Sequence, residues 1–263
     1  MNRIEQIVVV GSGKGGVGKS TVSLNLALAL HQQGNSVGIM DADLYGPNIP
    51  IMVGITRTQW GRSWMLAYNP KVMKASQIQP EEAYGLKVMS AAFIVGEDQP
   101  LVWEGGMVQG LAMQFVGQVA WGDLDYLIVD LPPGSGEIPQ ILLRNIDVAG
   151  AIVVVTPPYV AHLDARKAVQ MYRQANVKII GGVENMSAHV CPHCGQREEI
   201  FVPAPHSRSI WAMGVQKLVD IPLDPSLGHA GDVGPPLMIA KPQSPQADAF
   251  RRLANAVSSG AIP

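Results

Sequence analysis

The stretch from Gly13 to Ser20 has the residue types and spacing of a phosphate-binding loop. It lies between an apolar run typical of a strand and a segment of helical periodicity, the setting in which such loops bind phosphates. Glycines let consecutive N–H groups turn toward phosphate oxygens, and the helix N-terminus adds positive charge. Lys19 can reach the β- and γ-phosphates, and Ser20 can offer its hydroxyl to Mg²⁺. The predicted nucleotide-binding residues here are Gly13, Gly15, Gly16, Val17, Gly18, Lys19, Ser20 and Thr21.

Three aspartates at predicted strand ends are candidates for the rest of an ATP-hydrolysing site. Asp130 closes the apolar run 126–129, where a carboxylate can hold the water shell of Mg²⁺. Asp41 and Asp43 follow another buried run and can face one crevice. We expect Asp41 to support Mg²⁺ and Asp43 to orient the attacking water, with Lys19 as a further catalytic residue. A turn or a helix cap is the alternative for this aspartate pair.

A dinucleotide site is the alternative interpretation of the glycine-rich loop. Residues 11–16 also fit the pattern G-x-G-x-x-G, and Asp41 ends the next strand, where a ribose-binding acid would lie. That interpretation leaves Lys19 and Ser20 without a role and does not explain the strand-end Asp130. We therefore favour a nucleoside triphosphate, with ATP and Mg²⁺ as the expected ligands.

Cys191 and Cys194 are the only cysteines in the sequence, and their spacing suits a soft metal. Two thiolates cannot complete a four-ligand site, so a Cys₄ site requires two chains. An iron–sulfur cluster that bridges a symmetric dimer is the simplest solution. The alternatives are zinc, bound by the same cysteines with or without His189 or His193, and a bare redox dithiol. So close a pair is a poor structural disulfide and suits a reducing compartment.

Strands and helices alternate around these residues. Near-continuous runs of Val, Ile and Leu predict an α/β protein with a mainly parallel sheet covered by helices on both faces. About seven strands are expected, at residues 7–10, 37–40, 86–90, 126–129, 151–155, 177–181 and 216–221. Helices are expected at 20–33, 107–119 and 161–174. Residues 56–85 and 188–209 lack a clear period and are expected to be loops within one domain, 1–263.

Composition excludes several classes of function. The net charge is −2 and charged residues make up 15% of the chain, so no basic surface for nucleic acid is expected. The N-terminus lacks the pattern of a signal peptide. No run reaches the roughly 18 apolar residues that a membrane helix needs. We expect a cytoplasmic protein that binds neither nucleic acid nor membranes.

These motifs together resemble one family. Residues 14–20 resemble the deviant Walker A loop of the MinD and ParA ATPases, in which an extra lysine precedes the glycine pair. Other stretches are similar to the Mrp/ApbC family, which carries iron–sulfur clusters; they are residues 41–50, 121–126, 184–187, 191–194 and 221–225. The resemblance covers nearly the whole chain.

The resemblance implies a homodimer with two nucleotides near its interface. Lys14 would cross to the partner's phosphates as a catalytic residue, while Asn185, Pro222 and Asp224 would lie against the adenine. The implied function is slow ATP hydrolysis coupled to carriage of a [4Fe–4S] cluster between two protomers. Apo iron–sulfur proteins and cluster scaffold proteins would be its partners. The alternatives are a spatial-regulation ATPase of the MinD/ParA kind and an ATP-gated electron donor.

The sequence departs from the family pattern at four places. Glu104 lies where relatives tend to have arginine, and Leu131 lies where threonine is usual. Glu137 replaces an aspartate, and residues 201–208 replace a glycine-rich stretch after the cysteines. We expect these changes to affect the hydrolysis rate and the partner surface while leaving the nucleotide fold intact.

Overall fold

The structure is a computed structural model that describes residues 3–55, 78–93, 106–191, 193–224, 227–228, 231 and 234–259. Its strands are β1 (Arg3–Ser12), β2 (Val37–Asp41), β3 (Glu81–Ala83), β4 (Leu86–Ser90), β5 (Asp123–Asp130), β6 (Gly150–Val155), β7 (Ile179–Val190), β8 (Arg197–Glu198) and β9 (Lys217–Leu223). Its α-helices are α1 (Lys19–Gln32), α2 (Ile49–Met52), α3 (Gly106–Gly117), α4 (Glu137–Asn145), α5 (Tyr159–Gln174), α6 (Leu237–Ala240) and α7 (Pro245–Ser258). Glu104 and residues 56–77 of the expected loop lie outside the described residues.

One sheet of nine strands forms the centre of the described part, in the order β3-β4-β2-β5-β1-β6-β7-β8, with β9 also paired to β7. The predicted α/β class with a mainly parallel sheet is confirmed. The expected count of about seven is wrong. The seven expected strands are the parallel ones, whereas β3 and β8 pair antiparallel. These two have only two or three residues of mostly polar sequence, so no apolar run marks them in the sequence.

Strand β7 is longer than its sequence indicated. Its apolar run was expected to end at Gly181, but the strand continues to Val190 because β9 and β8 pair with its polar second half. The expected loop 188–209 therefore begins in a strand. Four helices, α2, α4, α6 and α7, also lie where no element was expected. Ser244 caps α7 by accepting a hydrogen bond from the Ala247 N–H at 3.1 Å.

Parallel pairing brings the candidate residues to one edge of the sheet. In the register, Asp130 is paired with Val10 of β1 and with Asp41 of β2. Because parallel strands share a direction, the loops after these three strands meet at the same edge. The first helix, α1, starts there and is buried along residues 22–30 between the sheet and α7. No helix in the described ranges is long and apolar enough to span a membrane.

Candidate nucleotide site and cysteine hairpin

Close packing or a left-handed backbone explains three glycines of the phosphate loop, Gly13, Gly16 and Gly18. Gly16 and Gly18 have φ angles of 77° and 83°, the left-handed region that favours glycine. A Cβ on Gly13 would lie 2.1 Å from the backbone nitrogen of Ala165 on α5. A Cβ on Gly18 would lie 2.2 Å from Nδ2 of Asn185 on β7. The loop is therefore clamped between α5 and β7, with the N-terminus of α1 at its end.

Asp130 is the centre of a buried polar cluster. Its Oδ2 accepts hydrogen bonds from Lys19 Nζ at 2.7 Å and from Ser20 Oγ at 2.6 Å. Lys19 is 7% exposed and Asp130 is fully buried, so this ion pair is shielded from water. The structure thus brings together three residues that the sequence assigned to phosphate and Mg²⁺. Because Lys19 is paired with a carboxylate here, an arriving phosphate has to compete with Asp130 for its ammonium group.

Ser23, one turn into α1, completes this cluster and was not predicted. Its hydroxyl donates to Asp130 Oδ1 at 2.6 Å and also lies 3.1 Å from the Lys19 carbonyl oxygen. Both oxygens of Asp130 are therefore held in place. The position i+3 from Ser20 on a helix puts the two hydroxyls on one face, which is the signal that could have identified it.

We predict that Ser23→Ala raises the Mg²⁺ concentration needed for half-maximal ADP binding by about tenfold. A hydrogen bond to a charged group contributes about 1.5 kcal/mol or more, and its loss frees Asp130 to turn away from the metal position. Titrating Mg²⁺ against a fluorescent ADP analogue measures this. Ser258→Ala is the matched control, because Ser258 makes a similar helical bond to the Ala254 carbonyl oxygen at 3.0 Å. An unchanged Mg²⁺ requirement would contradict the role given to Ser23.

Asp41 is enclosed rather than open to solvent. Its Oδ2 accepts from the Ile49 N–H at 3.2 Å and the Ser90 hydroxyl at 3.1 Å, and its Oδ1 accepts from the Asp43 N–H at 3.2 Å. Burial, reinforced by the neighbouring charge of Asp130, raises the pKa of Asp41 to about 7. Asp41 therefore orders the turn after β2, and its expected contact with the Mg²⁺ site remains a prediction.

A cleft of about 430 Å³ lies over the phosphate loop. Asp43 and Lys14 both line it, together with the loop glycines, Lys19 and Ser20. The Asp43 carboxylate accepts from the Gly46 N–H at 3.3 Å, and burial raises its pKa. Lys14 is held at its backbone, where the Ser12 hydroxyl donates to its carbonyl oxygen at 3.0 Å. The geometry thus places Asp43 and both lysines around one nucleotide-sized space.

Asn185 contacts the phosphate loop directly. Its Nδ2 donates to the Val17 carbonyl oxygen at 2.9 Å. On β9 its register partner is Ile221, so Pro222 and Asp224 follow at the same end of the sheet. Leu227, Gly228 and Gly231 from the next segment line the cleft. The expected contact of Asn185, Pro222 and Asp224 with adenine remains a prediction.

The loop after Asp130 is bonded to the last residue of β1, directly before the phosphate loop. The Gly134 N–H donates to the Ser12 carbonyl oxygen at 2.8 Å. Leu131 is fully buried, so this departure from the family pattern replaces a hydroxyl with a core side chain. Glu137 lies in the first turn of α4, where a carboxylate interacts favourably with the helix dipole.

The two cysteines lie at the turn between β7 and β8. The Cys191 N–H donates to the Gln196 carbonyl oxygen, and the Gly195 N–H donates to the Cys191 carbonyl oxygen, each at 2.9 Å. Both cysteines are free thiols, and Cys194 is exposed. The backbone N–H groups of Cys194 and then His193 hydrogen-bond to the Cys191 sulfur and lower its pKa. The turn therefore favours the thiolate form, which binds soft metals.

An ion pair fastens this hairpin to β9. Arg197 of β8 donates to Asp220 Oδ2 at 2.7 Å and to Ser187 Oγ at 3.2 Å. Among the described residues, no group of three or more His, Cys, Asp or Glu side chains is arranged to hold a metal ion. Within the part of the chain that the structure describes, the cysteine pair therefore offers two thiol groups to a soft metal.

Apolar side chains lie next to the hairpin, at and directly before the start of the segment that departs from the family pattern. Val202 is 86% exposed, and Ile200 and Phe201 are also exposed. The Ala204 N–H donates to the Pro157 carbonyl oxygen at 2.8 Å and holds the segment against the end of β6. An exposed apolar segment of this kind suits contact with another protein surface.

Similar proteins extend over almost the whole chain. Iron–sulfur cluster carrier protein from Pseudomonas fragi is 44% identical over 257 residues, which cover 98% of this chain and 86% of that protein. Iron–sulfur cluster transfer protein NUBPL from Mus musculus is 39% identical, over 97% of this chain and 77% of its own length. Both names refer to an iron–sulfur cluster, the group that the spacing of the two cysteines suggested.

Solved structures agree in fold. A nucleotide-binding protein in complex with ADP from Archaeoglobus fulgidus matches with a TM-score of 0.74 and 33% identity, over 94% of this chain and 92% of that one. MinD from Pyrococcus horikoshii, complexed with Mg-ADP, matches with a TM-score of 0.69 at 24% identity, over 100% and 99% of the two chains, and shows likeness of fold alone. The family model described as ParA, NUBPL iron-transfer P-loop NTPase, matches residues 3–258. The chain therefore belongs to this family of iron-transfer P-loop NTPases, which confirms the resemblance inferred from its motifs.

Proposed function

We propose that this protein is an ATP-hydrolysing carrier that holds a [4Fe–4S] cluster between two copies of itself and transfers it to apo-proteins. The observation that carries the proposal is the cysteine hairpin. It offers two free thiols on a turn that favours thiolates, and the described residues supply no third ligand beside them. A second copy would supply the other two thiolates by symmetry. Cluster binding requires reduced cysteines, and the cytoplasm keeps thiols reduced.

The nucleotide residues have separate roles in this proposal. Lys19 gives up its ion pair with Asp130 and binds the β- and γ-phosphates instead. Lys14 reaches the phosphates of the partner protomer. Asp43 orients the attacking water in the cleft. Ser20 and Asp130 fit a Mg²⁺ site, because a hydroxyl and a carboxylate 2.6 Å apart are hard oxygen donors. Bound Mg²⁺ would neutralise charge on the phosphates.

One strand connects the two sites. In β7, Asn185 bonds the phosphate loop at Val17, and Cys191 follows the strand six positions later. Met186, beside Asn185, has a φ of 55°, and the pairing of β7 with β9 shifts register just beyond it. Movement of the phosphate loop on nucleotide binding would therefore reach the hairpin through β7. Slow hydrolysis would gate loading or release of the cluster in this way.

Anaerobic reconstitution followed by a transfer assay tests the proposal. We expect about four irons and four sulfides per dimer and recovery of activity in an apo iron–sulfur enzyme mixed with the loaded protein. Transfer should change when ATP replaces ADP. Zinc in place of iron would overturn cluster carriage. A cluster that resists chelators and cycles between redox states without leaving would favour the electron-donor alternative.

A further inference from the structure

A groove between α4 and α5 combines positive charge with an apolar floor. It encloses about 570 Å³, and none of the described residues that line it is Asp or Glu. Arg144, Arg166 and Lys167 supply three cations. Leu143 and Met171 lie in the floor and are almost fully buried. The protein as a whole carries a net charge of −2, so this concentration of cations is local to the groove.

The two arginines have weak partners within the described part of the chain. Arg144 lies 3.5 Å from Gln140 Oε1, and Arg166 lies 3.5 Å from the Ser209 carbonyl oxygen. Both distances are at the limit of hydrogen bonding. Lys167 pairs with Asp164 at 3.1 Å on an exposed surface, where such a pair contributes little. Most guanidinium donors in the groove thus remain available, and their planar fork matches a carboxylate.

We propose that this groove binds an acidic peptide segment of a partner protein, with an apolar side chain of that segment resting on the floor. Three cations, of which Lys167 alone has a carboxylate partner among the described residues, complement two or three acidic side chains. Nucleic acid fits less well, because a phosphate backbone requires an extended basic stripe rather than a short, partly apolar groove. Naming the partner as a protein that receives the cluster rests on the proposed carrier function.

The groove also contacts the loop that follows Asp130. Ser135 lines the groove, and its carbonyl oxygen accepts a hydrogen bond from Gln140 Nε2 at 2.9 Å. The adjacent Gly134 is bonded to Ser12, the last residue of β1, directly before the phosphate loop. A peptide that contacts Ser135 therefore lies one residue from Gly134, which is bonded next to the phosphate loop. The affinity for the peptide should therefore differ between the ATP-bound and ADP-bound protein.

Fluorescence anisotropy with a labelled peptide of alternating glutamate and leucine tests the site in the full-length protein. We expect saturable binding that weakens with added salt. The double variant Arg144→Glu/Arg166→Glu should lose affinity by tenfold or more, about 1.4 kcal/mol, while Arg144→Lys/Arg166→Lys should retain most of it. Arg252→Glu is the matched control, because Arg252 is exposed on α7 and does not line the groove.

Several outcomes would overturn the groove proposal and leave the proposed cluster carriage unaffected. These are equal binding of a lysine–leucine peptide, unchanged binding in the double charge reversal, or tighter binding of duplex DNA that the same variant abolishes. Iron content after reconstitution is measured on every variant. Normal iron with lost peptide binding supports the groove, whereas absent iron in the parent protein with normal peptide binding would refute the carrier function alone.

Discussion

Cys191→Ser and Cys194→Ser should each abolish iron and sulfide retention after anaerobic reconstitution. A cluster bridging two copies relies on all four thiolates, and each substitution removes two of them from a dimer. Serine preserves the size of the side chain at this partly exposed turn, so the fold and the nucleotide site should persist. Iron and sulfide analysis, together with visible absorption, measures the loss. Retained ADP binding in both variants shows that the protein is otherwise intact.

Two histidine variants are the controls for this experiment. His189 and His193 lie near the cysteines in sequence and would complete a zinc site of two cysteines and two histidines. If four thiolates hold a cluster, then His189→Ala and His193→Ala should keep normal iron. Metal loss in these variants, or zinc in the parent protein, would contradict the bridging cluster.

The lowered pKa of Cys191 has a testable consequence for pH. Because backbone N–H groups stabilise its thiolate, the deprotonated form persists to lower pH than for an ordinary thiol. The Cys191 thiolate should therefore remain available to bind iron near neutral pH and be lost only as the pH drops through this lowered value. Alkylation of the metal-free Cys194→Ser protein over a pH series measures the Cys191 thiolate directly. A reactivity profile like that of a free cysteine would contradict the turn geometry.

Lys19→Ala should weaken ATP binding by about a hundredfold. Its ammonium would make charge-assisted bonds to two phosphates, each contributing about 1.5 kcal/mol or more. The same substitution leaves Asp130 buried without its cation, so a loss of thermal stability is also expected. Isothermal titration with ATP measures the affinity, and a thermal melt measures the stability.

A double variant separates these two effects. Lys19→Ala/Asp130→Asn removes the buried charge left by the single change, so its melting temperature should recover while ATP affinity stays low. Lys241→Ala is the matched control, because Lys241 is an exposed lysine that does not line the cleft. If the double variant regained affinity, the loss in Lys19→Ala would reflect misfolding and the phosphate role would be wrong. Cluster transfer by Lys19→Ala at the parent's rate would refute nucleotide gating.

The sequence by itself determined the parts of this protein that depend on short spacings and buried runs. Residues 13–20 form the predicted loop because glycines, a lysine and a hydroxyl follow one another locally. The seven parallel strands were predicted because burial on both faces demands continuous apolar sequence. Cys191 and Cys194 lie three positions apart, so one turn presents both.

Tertiary structure decided the contacts between residues that are distant in the chain. Ser23 meets Asp130 across 107 positions, and Asn185 meets Val17 across 168. Local spacing puts Ser23 on the same helix face as Ser20, but the partners Asp130 and Val17 are set only by the packing of the sheet strands, the first helix and the phosphate loop. The same holds for the polar end of β7, which is a strand only because β8 and β9 pair with it. The groove cations come from two helices that are separate in the sequence. They share one surface only because α4 and α5 both pack against the sheet.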